Sequence, residues 1–173
     1  MTHQPLVERF EAQPYLGIRC ATDNEPAFRA AVDDAFPELY RWLADHEVAP
    51  TGPPLIRYLV LSDDGEPRDF EVGVPIAEPM IGNGRVQPGA LPAGAYATVL
   101  HVGPYRHDTA PDLADARAAL LEWVGRERLA LDCWELDRGT AYRGCVERYL
   151  TDPSSEPDWS KWRTEIAYLA LAP

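Results

Sequence analysis

Apolar and polar positions change their period along the chain, and the changes mark out its elements. Residues 6 to 22 (LVERFEAQPYLGIRCAT) predict a long strand with a break near Gln13-Pro14. From Asn24 the period switches. Phe28, Val32, Ala35, Leu39, Trp42 and Leu43 recur mostly at spacings of three and four, which predicts one helical stripe with Trp42 in the core. Asn24 is placed to cap its start. Pro37 falls inside the stripe and predicts a kink or a split. PTGPP (50–54) stops the helix and opens a loop. Two strands follow, PLIRYLVL (54–61) and DFEVGVPI (69–76), joined by the turn SDDGEPR.

Residues 77 to 93 are rich in Gly and Pro and read as a junction, with a short strand at 85–91. AYATVLHV (95–102) is a strand. A helix over roughly 110–128 comes next, with Thr109 as N-cap and Pro111 in its first turn. It presents Leu113, Ala116, Leu120 and Val124 on one face. Residues 144–151 form a strand, a loop carries Trp159 and Trp162, and TEIAYLAL (164–171) is the last strand.

The order is β-α-β-β twice, and the halves share letters. RYL at 57–59 aligns with RYL at 148–150, and with a short gap Glu71 aligns with Glu165. A duplicated unit of this kind packs as an α+β fold, one antiparallel sheet with two helices, in a single domain over 1–173 with halves at about 1–80 and 84–173.

The alignment isolates one residue. Glu147 falls opposite Ile56, and Tyr149 opposite Tyr58. The first half shows an apolar face there (Ile56, Tyr58, Val60), whereas the second carries a carboxylate. An inward carboxylate must be paired or protonated. Glu147 beside Tyr149 therefore suggests a pocket. The alternatives, a pair with a core arginine or a solvent-facing side chain, keep equal weight on pattern alone. Arg138 and Arg143 flank the hairpin before Glu147 and are placed to offset its charge.

Charge and composition narrow the function. A formal net charge of −12 on 173 residues disfavours direct nucleic-acid binding. Cys20, Cys133 and Cys145 are odd in number and lack CxxC spacing, which disfavours a disulfide framework or zinc site and fits a reducing cytoplasm. The sequence shows neither a signal-peptide pattern nor an apolar run of membrane-spanning length. His3, His46, His101 and His107 show no metal spacing, and His101, out of phase with Tyr96, Leu100 and Val102, reads as a surface residue. Trp123 reads as the edge of the second stripe, over a groove, and Trp159 and Trp162 as an aromatic wall or as pins for their loop. No metal and no cofactor are expected.

Several pieces together resemble a known family. They are LPAGAYATVLHVGPY (91–105), where a strand runs into Gly-Pro-Tyr105, then ALLEW (119–123), VERYLTDP (146–153) and TEIAYLAL (164–171). The chain resembles the GyrI-like family, the small-molecule-binding domain also found at the C-termini of AraC-type and multidrug-sensing MerR-type regulators. The resemblance implies two halves related by a pseudo-twofold axis and a groove between the helices for aromatic, often cationic, ligands. It also implies that Glu147 is the buried ligand partner and Tyr149 its aromatic companion; Tyr58, Tyr105, Trp123, Trp159 and Trp162 are the further ligand-binding candidates by their places in the sequence. No helix-turn-helix precedes the first strand in this sequence, so a stand-alone domain is expected, of undetermined oligomeric state. Three functions fit it. The first is binding of small aromatic or lipophilic cationic molecules. The second is a hydrolase that opens cyclopropane rings of DNA-alkylating compounds, with Glu147 and Tyr149 catalytic. The third is interaction with DNA gyrase.

Overall fold

The computed structural model describes residues 1–172; Pro173, the end of the expected domain, lies outside the described residues. Among them ten strands form one antiparallel sheet with two α-helices. In chain order the elements are β1 (Leu6–Phe10), β2 (Gln13–Ala21), α1 (Glu25–Asp45), β3 (Leu55–Leu61), β4 (Pro67–Pro75), β5 (Val86–Leu91), β6 (Gly94–Val102), α2 (Leu113–Arg126), β7 (Cys133–Leu136), β8 (Gly139–Tyr142), β9 (Cys145–Tyr149) and β10 (Arg163–Leu169), with one 3-10 turn at Trp159–Lys161. No helix among the described residues is long and apolar enough to cross a membrane.

The sheet order is β1-β6-β10-β9-β3-β4-β2-β5. Its middle is palindromic. β6, β10 and β9 of the second half mirror β2, β4 and β3 of the first, and each half's leading strand, β1 or β5, joins the edge of the other half. The register locates the local axis. Ile56 lies opposite Glu147, while Leu55–Arg148 and Arg57–Val146 exchange under the RYL alignment. The aligned acids keep step too, with Glu71 opposite Arg57 and Glu165 opposite Arg148. The weak sequence echo therefore corresponds to a real two-fold arrangement of strands.

Both helices cover one face. α1 packs on β4 and β2, and α2 packs on β6 and β10. Their stripes enter one core, with Ala35, Leu39 and Leu43 from α1 and Leu113, Ala116, Leu120 and Val124 from α2. Odd-even alternation sends Leu55, Val146, Ala167 and Leu169 to the opposite face, where they form a second core with Tyr15, Leu91 and Tyr96. Trp42 lies at the rim of the main core rather than inside it: its indole N–H donates to Asn83 Oδ1 at 2.7 Å and its ring stacks on His46.

Three local expectations change. Pro37 does not split α1, which runs unbroken through it. Pro37 and Asp33, whose carbonyl loses its partner, are both solvent-exposed, so water satisfies the freed group. α2 starts at Leu113, because Asp112 and Asp115 form a capping box and Thr109 stays outside, its amide donating to His107 Nδ1 at 3.1 Å. His101 is fully buried. The covered face of β6 is that of Ala97 and Val99, which His101 shares, and its Nε2 meets the Pro104 carbonyl at 3.1 Å. The hairpin expected before Glu147 is β7–β8, whose strands had no predicted bounds, since all four residues of β7 are exposed and carry no alternation to read.

Candidate functional site

The pseudo-twofold junction of the sheet places a carboxylate in the core. Glu147 lies mid-strand on β9 beneath α2 and is 3% exposed. Its Oε2 accepts from Tyr58 at 2.9 Å and from Tyr149 at 2.7 Å. These tyrosines are the two that the RYL echo equates. Each stands two residues past the axial pair Ile56–Glu147, on antiparallel strands, so they approach the carboxylate from opposite directions. Oε1 pairs with Nη2 of Arg117, whose guanidinium lies 4.6 Å from the Tyr58 ring centroid. The Arg117 side chain is 15% exposed. A buried charge pair of this kind is strongest when its remaining polar atoms are bonded; both Glu147 oxygens are, whereas Arg117 Nε is not.

Arg117 replaces the cations expected from sequence. Arg143 instead binds Asp132 at 2.9 Å in an exposed pair, and Arg138 lines a separate surface hollow with Asp23, Asp63 and Asp64. A strand-by-strand reading looks near Glu147 in sequence, whereas the partner comes from the helix above it. A signal was nonetheless present. Arg117 stands four residues after Leu113 and three before Leu120, so it occupies the buried stripe, where an unpaired arginine has no place.

The electrostatics follow from burial beside one anion. Burial, and then the negative charge of Glu147, push the hydroxyls of Tyr58 and Tyr149 well above the ordinary tyrosine range. Both hydroxyls therefore stay protonated and donate. Burial, with Asp152 and Glu147, pushes Tyr105 up to about 12. Burial is the largest single influence on Arg117 and opposes its charge, but Glu147, Tyr168, Tyr58 and Cys145 together outweigh it and the guanidinium is held charged. Burial drives the Cys145 thiol up to about 12, so it is a packed, unreactive thiol. Two buried polar atoms in this region are orphaned, Arg117 Nε and the Tyr168 hydroxyl, which lies beside Cys145. An orphaned buried donor costs about 1–3 kcal/mol.

A row of rings leads from this carboxylate toward the surface. Tyr149 meets Tyr105 edge-on at 5.3 Å between centroids, and Tyr105 meets Trp162 at 4.7 Å. The Trp162 indole N–H donates to the Glu156 carbonyl at 2.8 Å, which fixes the ring. On the other side Phe28 of α1 lies 6.2 Å from Tyr58. The structure thus brings together Glu147, Tyr149, Tyr58, Tyr105 and Trp162. Trp159 stands apart, largely exposed against His107, and Trp123 packs on the core farther along α2. Arg117 and Phe28 are the members that sequence reading missed. Two open hollows, of about 440 and 580 Å³, lie elsewhere on the surface, and neither includes Glu147. Beside Glu147 the Arg117 guanidinium itself fills the space. Among the described residues no group of three His, Cys, Asp or Glu side chains is placed to hold a metal.

Comparison with known proteins sets this site in context. No curated protein sequence matches the chain. Solved structures do. EcmrR in complex with DNA superposes with a TM-score of 0.74 at 18% identity, covering 98% of this chain but 58% of EcmrR. The EcmrR C-terminal domain alone gives 0.73 at 17% identity and covers 98% of both chains. SAV2435 bound to tetraphenylphosphonium gives 0.57 at 9% identity, covering 98% of this chain and 95% of its own. A hydrolase from Listeria innocua gives 0.59 at 16% identity, covering 97% and 92%. At such identities these likenesses speak for the fold. The profile of the GyrI-like small molecule binding domain matches residues 3–168, nearly the full length, and the chain belongs to that family.

Proposed function

We propose that this domain binds small hydrophobic aromatic molecules between its helices, over the Glu147 carboxylate. The observation that carries the reading is the buried Glu147–Arg117 pair at the foot of a ring row formed by Tyr149, Tyr105 and Trp162. Fixed rings offer flat apolar area at little entropic cost, and the polar floor supplies orientation. The tetraphenylphosphonium in SAV2435, an aromatic cation, agrees with aromatic recognition on this fold. In the present chain Glu147 is already balanced, so a cation gains from it only by displacing Arg117.

Hydrolysis is the second reading, supported by the Listeria innocua neighbour and by the Glu147–Tyr149 contact. The local geometry favours binding over it. A general base needs a free lone pair facing the substrate. Glu147 accepts from two tyrosines and an arginine, and both tyrosine hydroxyls spend their protons on it. Neither residue is left facing a substrate.

The test is a titration with xanthone, a planar neutral tricycle, followed by tryptophan emission. Saturable quenching at micromolar concentration is expected, which corresponds to about 8 kcal/mol. Trp162→Phe should remove much of that quenching. The absence of saturable binding up to the solubility limit would overturn the reading. Formation of ring-opened product from a cyclopropane-bearing alkylator, abolished by Glu147→Gln, would put catalysis in its place.

A further inference from the structure

Arg117 stands where a ligand's cation would stand. Its guanidinium lies over the Tyr58 ring and pairs with the buried Glu147. Those are the two contacts that an aromatic cage and a carboxylate offer to any planar cation. The competitor is tethered to α2, so its effective concentration is on the order of millimolar or above, and a free cation must outcompete it. The paired site is formally neutral. It also keeps one unspent donor, the buried Arg117 Nε, for which the surrounding protein provides no acceptor. A satisfied carboxylate gives an incoming cation nothing, whereas an orphaned N–H rewards an acceptor.

We infer that Arg117 sets the charge class of the ligand: the site selects uncharged aromatic molecules that carry a carbonyl-type acceptor, and it discriminates against lipophilic cations. The inference rests on the binding reading above and names the ligand class for that same site. Nothing in it requires chemistry at the ligand. Arg117 acts as a specificity determinant by filling the cation subsite and by offering Nε. The tyrosines take no part in the discrimination, since both hydroxyls are committed to Glu147 Oε2.

Three tricyclic probes of similar outline separate the contributions. Xanthone carries a carbonyl acceptor, xanthene lacks it, and pyronin Y is a planar cation. The wild-type chain should bind xanthone more tightly than xanthene and pyronin Y most weakly. Arg117→Met frees Glu147, so pyronin Y should gain about tenfold or more, and xanthone should lose its advantage over xanthene. Arg117→Met strands a buried carboxylate, so the double variant Arg117→Met with Glu147→Gln serves where the single one fails to fold. In the double variant the three probes should converge to within about threefold, since both charges are gone. Tighter wild-type binding of pyronin Y than of xanthone would overturn the inference and leave the binding reading standing. So would an unchanged order of affinities in both variants. Failure of every probe to bind the wild-type chain would overturn the binding reading itself, and this inference with it.

Discussion

Removing the arginine from the core pair is the sharpest perturbation of the folded state. In Arg117→Met the stem is roughly kept and the charge is lost. Glu147, 3% exposed, then carries an uncompensated charge beneath α2. Breaking a buried pair from one side costs about 3–5 kcal/mol. For a chain of this length each kcal/mol lowers Tm by about 2–4 °C, so the loss should be about 6–20 °C. Adding Glu147→Gln removes the stranded charge and keeps an amide oxygen to accept from Tyr58 and Tyr149. The double variant should therefore lie within about 2 kcal/mol of wild type, which makes the two substitutions strongly non-additive. The assay is urea denaturation at pH 7 of the four chains of this cycle, followed by tryptophan emission. If Arg117→Met costs less than about 1 kcal/mol, the pair behaves as a wet surface contact, and the reasoning about a closed, neutral site fails.

Other outcomes follow from local features. Asp112→Ala should cost about 1 kcal/mol in the same assay, because it removes one side of the α2 capping box, while Thr109→Ala should cost almost nothing. Tyr58, Tyr149 and Tyr105 have raised folded values, so the folded chain binds more protons above pH 10 than the unfolded one. Their stabilisation should be complete below about pH 10 and lost as pH rises beyond it, with tyrosinate absorbance appearing together with unfolding. Burial lowers the His101 value, against a smaller opposing effect of the Pro104 carbonyl. The unfolded chain then binds the extra proton first, so stability should fall as pH drops below about 6.5 toward the folded value, and His101→Gln should flatten that slope.

Much of the fold was legible because the apolar periods were clean. Both helical stripes and the strands around the RYL echo followed from spacing and residue type, and the register of Ile56 against Glu147 bears the alignment out; the twofold relation of the halves came from the family resemblance, and the order of the strands across the sheet was not legible. The departures are cases where a local rule met a wider context. Pro37 breaks helices when the freed carbonyl is buried, and here it is in water. His101 looked peripheral because β6 has two partly covered faces, and the phase of Tyr96 belongs to the lesser core. The candidate site was half legible. Glu147, Tyr58 and Tyr149 follow from the repeat, Tyr105 from the Gly-Pro-Tyr motif, and Trp162 from its loop after the Glu147 strand, where wall and pin were both open. Arg117 did not follow, because its meaning lies in helix packing over the sheet, although its place in the Leu113–Leu120 stripe pointed to it. Trp123 was placed over the groove from the edge of its stripe and Trp159 from its loop, and their positions in three dimensions lie off the ring row.

The most direct test of the account is a crystal structure of the wild-type chain grown with xanthone. The account predicts the tricycle against Tyr105 and Trp162, its carbonyl oxygen within hydrogen-bond distance of Arg117 Nε, and Glu147 still paired to the same guanidinium. Density for xanthone only in the surface hollow bounded by Leu6, Glu8, Thr98, Arg163 and Glu165 would contradict it.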